Sequence, residues 1–157
     1  MATVSAGILL YRLDADGGMS VLIAHMGGPF WARKDVGAWS IPKGEIGDDE
    51  SPLEAARREF REELGVEPPE GDYAELGTFA YASGKRVIVF VADGSEFTAS
   101  EFDFGTFDLE WPPRSGRTRA FPEVDRAEWM AVPDARERLV TGQRGALDRL
   151  EERLGSA

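Results

Sequence analysis

Apolar positions set the frame of the chain before any chemistry is considered. Val4 to Leu13 and Ser20 to Met26 are β-rich apolar runs, and the Asp14-Ala-Asp-Gly-Gly18 segment between them has the Asp and Gly content of a tight turn, predicting an opening hairpin. Gly27 to Gly37 reads as a loop carrying Phe30, Trp31 and Arg33, and a short apolar stretch, 38–42, follows. Ser51-Pro-Leu-Glu54 is a helix start, with a serine cap, proline in the first turn and a glutamate placed to close a capping box. The helix runs to Gly65, and Leu53, Ala56, Phe60 and Leu64 recur at helical spacing, so they predict its core face. Tyr73 to Tyr81 and Arg86 to Ala92 predict a second hairpin around Ser83-Gly84. Residues 95–119 lack a clear period and predict an excursion with one short strand near Phe107 to Trp111; a strand at Ala127 to Val132 and helices at 134–140 and 142–154 close the pattern.

Composition narrows the classes. With 157 residues, 42% of them hydrophobic, the chain suits one domain over 1–157. It contains no cysteine, which removes thiolate chemistry, leaves oxygen or the lone His25 to hold any metal, and suits a cytoplasmic protein. Residues 1–11 carry no cationic leader, and their apolar run is too short to span a bilayer. A formal charge of -11 opposes long-range encounter with a nucleic-acid backbone or an anionic membrane. The expected partner is a small phosphorylated molecule whose approach divalent cations would permit, bound by a monomer or homodimer.

Glu59, Glu62 and Glu63 stand at i, i+3 and i+4, on one side of a helix and within reach of a shared ion. Like charges at that spacing oppose one another, and negative charge late in a helix opposes the macrodipole. Magnesium or manganese would offset both, since each prefers carboxylate and carbonyl oxygen. On their own these glutamates read as a solvated charged face, with Glu54–Arg58 and Arg58–Glu62 paired one turn apart.

Their surroundings reverse that reading. Gly44, Glu50, Arg58, Glu59, Phe60, Glu62, Glu63, Gly65 and Val66 fill every defined position of G-x5-E-x7-R-E-U-x-E-E-x-G-U, with U apolar, and the segment therefore resembles the Nudix box. A chance match is on the order of one in ten million at ordinary residue usage, so composition alone does not produce it. The resemblance implies an α/β Nudix fold, an α/β/α sandwich with a mixed central sheet. It implies that Glu59, Glu62 and Glu63 bind divalent ions together with a backbone carbonyl at Lys43 or Gly44. Arg58 would then orient a glutamate and Glu50 would support the loop. Glu59, ahead of Glu63, is the residue expected to assist deprotonation of water. A further metal-binding carboxylate outside the box is expected at Glu123, which otherwise reads as an acidic loop residue; Asp125 and Glu128 are weaker contenders.

A nucleotide substrate needs cations for phosphate and flat side chains for a base. Lys43, Arg33 and Arg86 are candidates for the first role, with Lys85, Arg114, Arg117 and Arg119 behind them; Trp39 and Tyr81 are candidates for the second, with Phe30, Trp31 and Trp111. Trp39 alternates with Ile41 and reads equally as core. Trp39-Ser-Ile-Pro-Lys-Gly-Glu45 and Tyr81 resemble features of diadenosine polyphosphate hydrolases, whereas Glu110 to Arg117, Phe121 to Trp129 and the closing segments are similar to a bacterial Nudix subgroup of nucleoside triphosphate pyrophosphohydrolases. The expected activity is metal-dependent cleavage of a phosphoanhydride bond in a nucleoside diphosphate derivative. A rival of another class is a Nudix-fold sensor that binds a nucleotide without turning it over.

Overall fold

The computed structural model describes residues 3–99 and 101–155; the ends of the expected domain and Ser100 in the excursion lie outside the described residues. Its centre is a seven-stranded mixed sheet. Strand β1 (Val4–Leu13) lies parallel to β6 (Arg86–Asp93) along most of its length. Every other pairing in the sheet is antiparallel: β1 with β2 (Met19–Met26), β2 with β3 (Trp39–Ser40) and with β9 (Val124–Ala131), and β6 with β5 (Ala74–Ala80).

Both faces of the central strands are covered, which explains why they read as continuous apolar runs instead of an apolar/polar alternation. Successive side chains point to opposite faces of a strand. Ile8 and Leu10 of β1, Leu22 and Ala24 of β2, and Phe90 of β6 therefore share one core with Ala55, Ala56, Phe60 and Leu64 of helix α1 (Pro52–Leu64). Leu9, Val21, Ile23, Val87, Val89 and Val91 turn the other way. They meet Val132 and Ala135 of α2 (Val132–Arg138) and Ala146, Leu147 and Leu150 of α3 (Arg144–Gly155). The result is the expected α/β/α sandwich with a mixed central sheet.

Strand β4 (Lys43–Glu45) carries the site, and its position follows from a split in β1. Residues Tyr11 to Leu13 pair with β2, while Ser5 to Gly7 pair with β4. Gly7 makes the close approach possible, since a Cβ there would fall 2.6 Å from both the Lys43 Cβ and the Pro42 carbonyl oxygen.

Several expectations shift. The 95–119 excursion holds β7 (Thr106–Glu110) as foreseen, but it pairs with an unforeseen β8 (Thr118–Pro122) in a separate two-stranded ribbon. Strand β8 is largely exposed, so no buried face imposes a period on its sequence. β9 begins at Val124, three residues before Ala127, and α2 begins at Val132, two before Asp134. The last helix is preceded by a 3-10 turn, Thr141–Gln143. No helix among the described residues is long and apolar enough to cross a membrane.

Candidate active site

Helix α1 is fixed at both ends by its own sequence. The Ser51 hydroxyl accepts from the Glu54 N–H at 3.2 Å, and the Glu54 carboxylate accepts from the Ser51 N–H at 3.1 Å. Gly65 closes the helix at φ 73°, a left-handed conformation that glycine adopts without strain. Between these caps, Phe60 and Leu64 anchor one face in the core and hold the acidic face toward β4.

Arg58 is the hub of that acidic face. Its Nε and Nη2 donate to the two Glu50 carboxylate oxygens at 2.7 and 2.8 Å, a bidentate pair. Nη1 donates to Glu59 Oε1 at 2.8 Å and to Glu62 Oε2 at 3.0 Å, and Nη2 also reaches the Glu45 carbonyl at 3.1 Å. Glu50 additionally accepts the Gly47 N–H at 2.8 Å, so one carboxylate ties the loop before the helix to Arg58. Those bonds to Arg58 and Gly47 hold the Glu50 carboxyl down at about 2, and the same contacts raise the pKa of the Arg58 guanidinium. Glu50 thus contacts the loop and Arg58, and Arg58 contacts two of the helix glutamates.

A cavity of about 640 Å³ opens beside this hub, lined by Lys43, Gly44, Glu45, Glu59, Glu63 and Glu123 together with Met26, Gly27, Trp31, Ser40, Phe107 and Val124. Gly44 is required there, because a Cβ at this position would occupy the space of the Glu59 carboxylate. Burial raises the Glu59 pKa against the lowering effect of Arg58. Burial also pushes Glu63 up to about 8, with Lys43 opposing and the charges of Glu59 and Glu123 adding to the rise. Glu123 is aimed into the cavity by its backbone, which donates to Gly105 and accepts from the Gly27 N–H.

This donor set suits a divalent ion. It consists of hard oxygen ligands, and its mutual repulsion is what a cation would relieve. As placed, no three acidic or histidine side chains among the described residues converge on a single point. Arg58 draws Glu59 and Glu62 to itself, and Glu62 is half-exposed and does not line the cavity.

The substrate candidates divide. Lys43 joins the acidic cavity to a second, mostly apolar one of about 370 Å³, which Tyr81, Met26, Ser40, Ala82, Ser83, Val140 and Gly142 complete. Trp39 is corrected: it is 1% exposed in the core, its Nε1 donates to Asp35 at 2.8 Å, and it has no free face for a base. Arg33 and Arg86 are exposed and line neither cavity; Arg86 stands at the start of β6, where its N–H donates to the Thr3 carbonyl. His25 is fully buried, with Nδ1 2.7 Å from Asp125 Oδ1 and Nε2–H donating to the Lys34 carbonyl at 2.5 Å. It braces the Gly27–Gly37 loop and faces no cavity. Asp125 is occupied by that contact, and Glu128 lies beside Arg126 on β9.

Phe107 and Met26, which line the first cavity, gave no signal in sequence, nor did Gln143. That residue is fully buried; its Oε1 accepts the Ile41 N–H at 2.7 Å, and its Nε2 donates to Ser40 Oγ and Tyr81 Oη at 2.9 and 2.8 Å.

Comparison with known proteins follows the same lines. Residues 1–150 match the model of the NUDIX domain. The chain is 32% identical over 114 residues to a nucleoside triphosphate pyrophosphatase/Nudix hydrolase fusion protein of Bifidobacterium longum, covering 69% of this chain and 23% of that one. It is 44% identical over 84 residues to an RNA pyrophosphohydrolase of Marinomonas sp., covering 48% and 52%. The chain thus spans about half the length of the second relative and less than a quarter of the first. Its fold is similar to the NUDIX domain of Shewanella oneidensis NrtR complexed with ADP ribose (TM-score 0.65, 18% identity, 98% and 89% covered) and to a C. elegans Ap4A hydrolase binary complex (TM-score 0.61, 18% identity, 99% and 100% covered).

Proposed function

The chain belongs to the Nudix domain family, and from that premise we propose that residues 1–157 form one catalytic unit that hydrolyses a phosphoanhydride bond in a nucleoside diphosphate linked to another group, nucleoside triphosphates first. The observation that carries this reading is the meeting of Glu59, Glu63 and Glu123 with Lys43 in one cavity under Gly44. Glu59, Glu63 and Glu123, which line the cavity, and Glu62 beside them on α1 would hold magnesium or manganese, with a carbonyl at Lys43 or Gly44 as a neutral oxygen donor. A bound divalent ion supplies neutralisation of the diphosphate and a more acidic water.

The chain's own groups do the rest. The Lys43 ammonium, at the junction of the two cavities, draws the diphosphate toward the carboxylates. The apolar cavity at Tyr81 and Val140 takes the nucleoside. Arg58 holds Glu59 through Oε1 and leaves Oε2 to accept the proton of the attacking water, with Glu63 as the second choice. Phosphate and nucleotide release from nucleoside triphosphates, diadenosine polyphosphates and ADP-ribose, with magnesium or manganese, tests the proposal. Turnover that disappears in Glu59→Gln and with chelator is the expected result. Nucleotide binding with no turnover across the panel overturns it in favour of a sensor.

A further inference from the structure

The β7–β8 ribbon has two unlike faces. Phe107, Leu109 and Trp111 alternate with the exposed Thr106, Asp108 and Glu110, and the register sets Phe121 opposite Phe107 and Arg119 opposite Leu109. One face is thus aromatic and cationic, and the other polar and acidic. The aromatic face leans on the Gly27–Gly37 loop: Phe107 lies against Gly28, and Phe30 meets Trp111 edge-on with ring centroids 5.6 Å apart. Phe107, Phe121, Trp111 and Phe30 form a continuous series of rings with steps of 6.2, 6.3 and 5.6 Å. The series begins in the wall of the acidic cavity at Phe107 and ends at Phe30, which is 58% exposed. From Phe107 to Trp111 it spans about 13 Å at the usual strand rise.

Packing between ribbon and loop accounts for the rings but not for the charge. Segments 27–37 and 111–121 hold five cations, Arg33, Lys34, Arg114, Arg117 and Arg119, against one acid, Asp35, in a chain whose net charge is -11. Arg114, Arg117 and Arg119 are exposed, and among the described residues none forms an ion pair. The Arg114 and Arg117 backbone N–H groups donate to Glu110 Oε1 and Ser115 Oγ, while the Arg119 guanidinium lies 5.3 Å over the Phe121 ring. In a chain with 29 acidic residues, three exposed arginines without an acidic partner, on a ribbon whose Phe107 lines the cavity, favour an anionic ligand.

We propose that the ribbon and the loop form a binding rim for a short single-stranded nucleotide chain that continues outward from the phosphates held in the cavity. Bases stack on the exposed parts of Phe30, Trp111 and Phe121, and successive phosphates meet Arg114, Arg117 and Arg119. Alternating rings and several unpaired cations suit a repeating base–phosphate chain better than a single second nucleoside. The global charge, which opposes a nucleic-acid partner, keeps such binding short and steeply dependent on salt.

The inference rests on the proposed phosphate site, but its test needs no turnover. A short 5′-phosphorylated oligoribonucleotide, which has no phosphoanhydride to cut, is labelled at its 3′ end and titrated with the protein in magnesium over a range of salt, and fluorescence anisotropy gives Kd. The variant is Arg114→Asn with Arg117→Ser; asparagine is chosen because Arg114 has φ 63° and asparagine tolerates that region. Each lost phosphate contact reduces the slope of log K against log salt by about 0.7 and weakens binding about fivefold at 0.1 M salt, so the pair loses about 25-fold. An unchanged Kd and slope overturn the proposal, as does displacement of the oligonucleotide by an equal concentration of diadenosine tetraphosphate, which offers a second base but no phosphate beyond it. Ribbon-dependent binding without hydrolysis of any nucleotide removes only the catalytic reading, whereas hydrolysis together with ribbon-independent binding removes only this one.

Discussion

Replacing Gln143 with leucine removes a buried amide while nearly keeping its size. Three contacts go at once: the Ile41 N–H loses its acceptor, and Ser40 and Tyr81 lose a donor. The Ile41 N–H is the costly one. It lies in a residue with no exposure, and an unsatisfied buried donor costs about 1–3 kcal/mol. Ser40 Oγ keeps its bond to the Ile41 carbonyl, and the Gln143–Tyr81 contact is only partly buried, so each of these losses is at most about 1 kcal/mol. A net destabilisation of about 3 kcal/mol corresponds to a fall in Tm of about 6–12 °C for a chain of this size. Tyr81→Phe alone should cost about 1 kcal/mol, and much less in the Gln143→Leu background, because its partner is already gone. Thermal and urea unfolding of the four proteins, followed by circular dichroism, measures the cycle. If Gln143→Leu unfolds within 2 °C of the wild type, or Tyr81→Phe costs the same in both backgrounds, the network does not hold these segments together. Because Lys43 lies two residues beyond Ile41, the same variant should also raise KM for a nucleotide.

Three further outcomes are expected. Gly44→Ala should lower kcat about 100-fold with little change in Tm, because its methyl displaces the Glu59 carboxylate by more than 1 Å, and a misplacement of that size costs about that factor; an alanine variant with near-normal kcat would remove Glu59 from the reaction. Arg58→Met should flatten the acid side of the stability profile. Glu50, held at about 2 in the fold against an ordinary 4.5, contributes stability that is full above 4.5 and lost as pH falls toward 2, and the variant, followed by Tm against pH, should lose that slope. Glu63 behaves in the opposite sense: its value of about 8 means that the folded chain retains a proton the unfolded chain releases, so without metal stability declines as pH rises from 4.5 to 8. A divalent ion competes with that proton, and the rise in Tm on adding magnesium should be larger at pH 8 than at pH 6. Equal rises at both pH values would mean that Glu63 takes no part in holding the ion.

What could be read from sequence, and what could not, divides by the range of the interactions involved. Ser51, Pro52, Glu54 and Gly65 act within a few residues of themselves, so the caps of α1 and the span between them were visible as a string of letters. The two-sided core entered only through the resemblance, although the continuous apolar runs of β1 and β2 are what burial on both faces requires. Glu123 was reached only through the resemblance. Its aim into the cavity depends on Gly27 and Gly105, residues distant in the chain that present nothing but backbone. Trp39 shows the reverse failure: its aromatic character and nearness to Lys43 fit a base platform, but it packs with Ile41 in the core beneath α2 and α3, which leaves no face for a base.

Gln143 marks where local reasoning stops. Nothing near it in sequence announces a buried amide, and its partners lie 62 to 103 residues away. Yet it reaches the strand leading to Lys43 and the tyrosine on the wall of the second cavity, so the spacing between the two cavities depends on it. The acidic hub, by contrast, is built almost wholly from one helix and the loop before it, with Glu50, Arg58, Glu59 and Glu62 inside thirteen consecutive residues. The two halves of the site are therefore specified differently. Mutations that change which nucleoside is accepted should fall on dispersed residues such as Met26, Tyr81, Val140 and Gln143, while the proposed machinery for the phosphoanhydride lies within residues 43–63 except for Glu123. That separation gives a physical reason for a compact, readable motif to coexist with a substrate preference that the same sequence does not spell out.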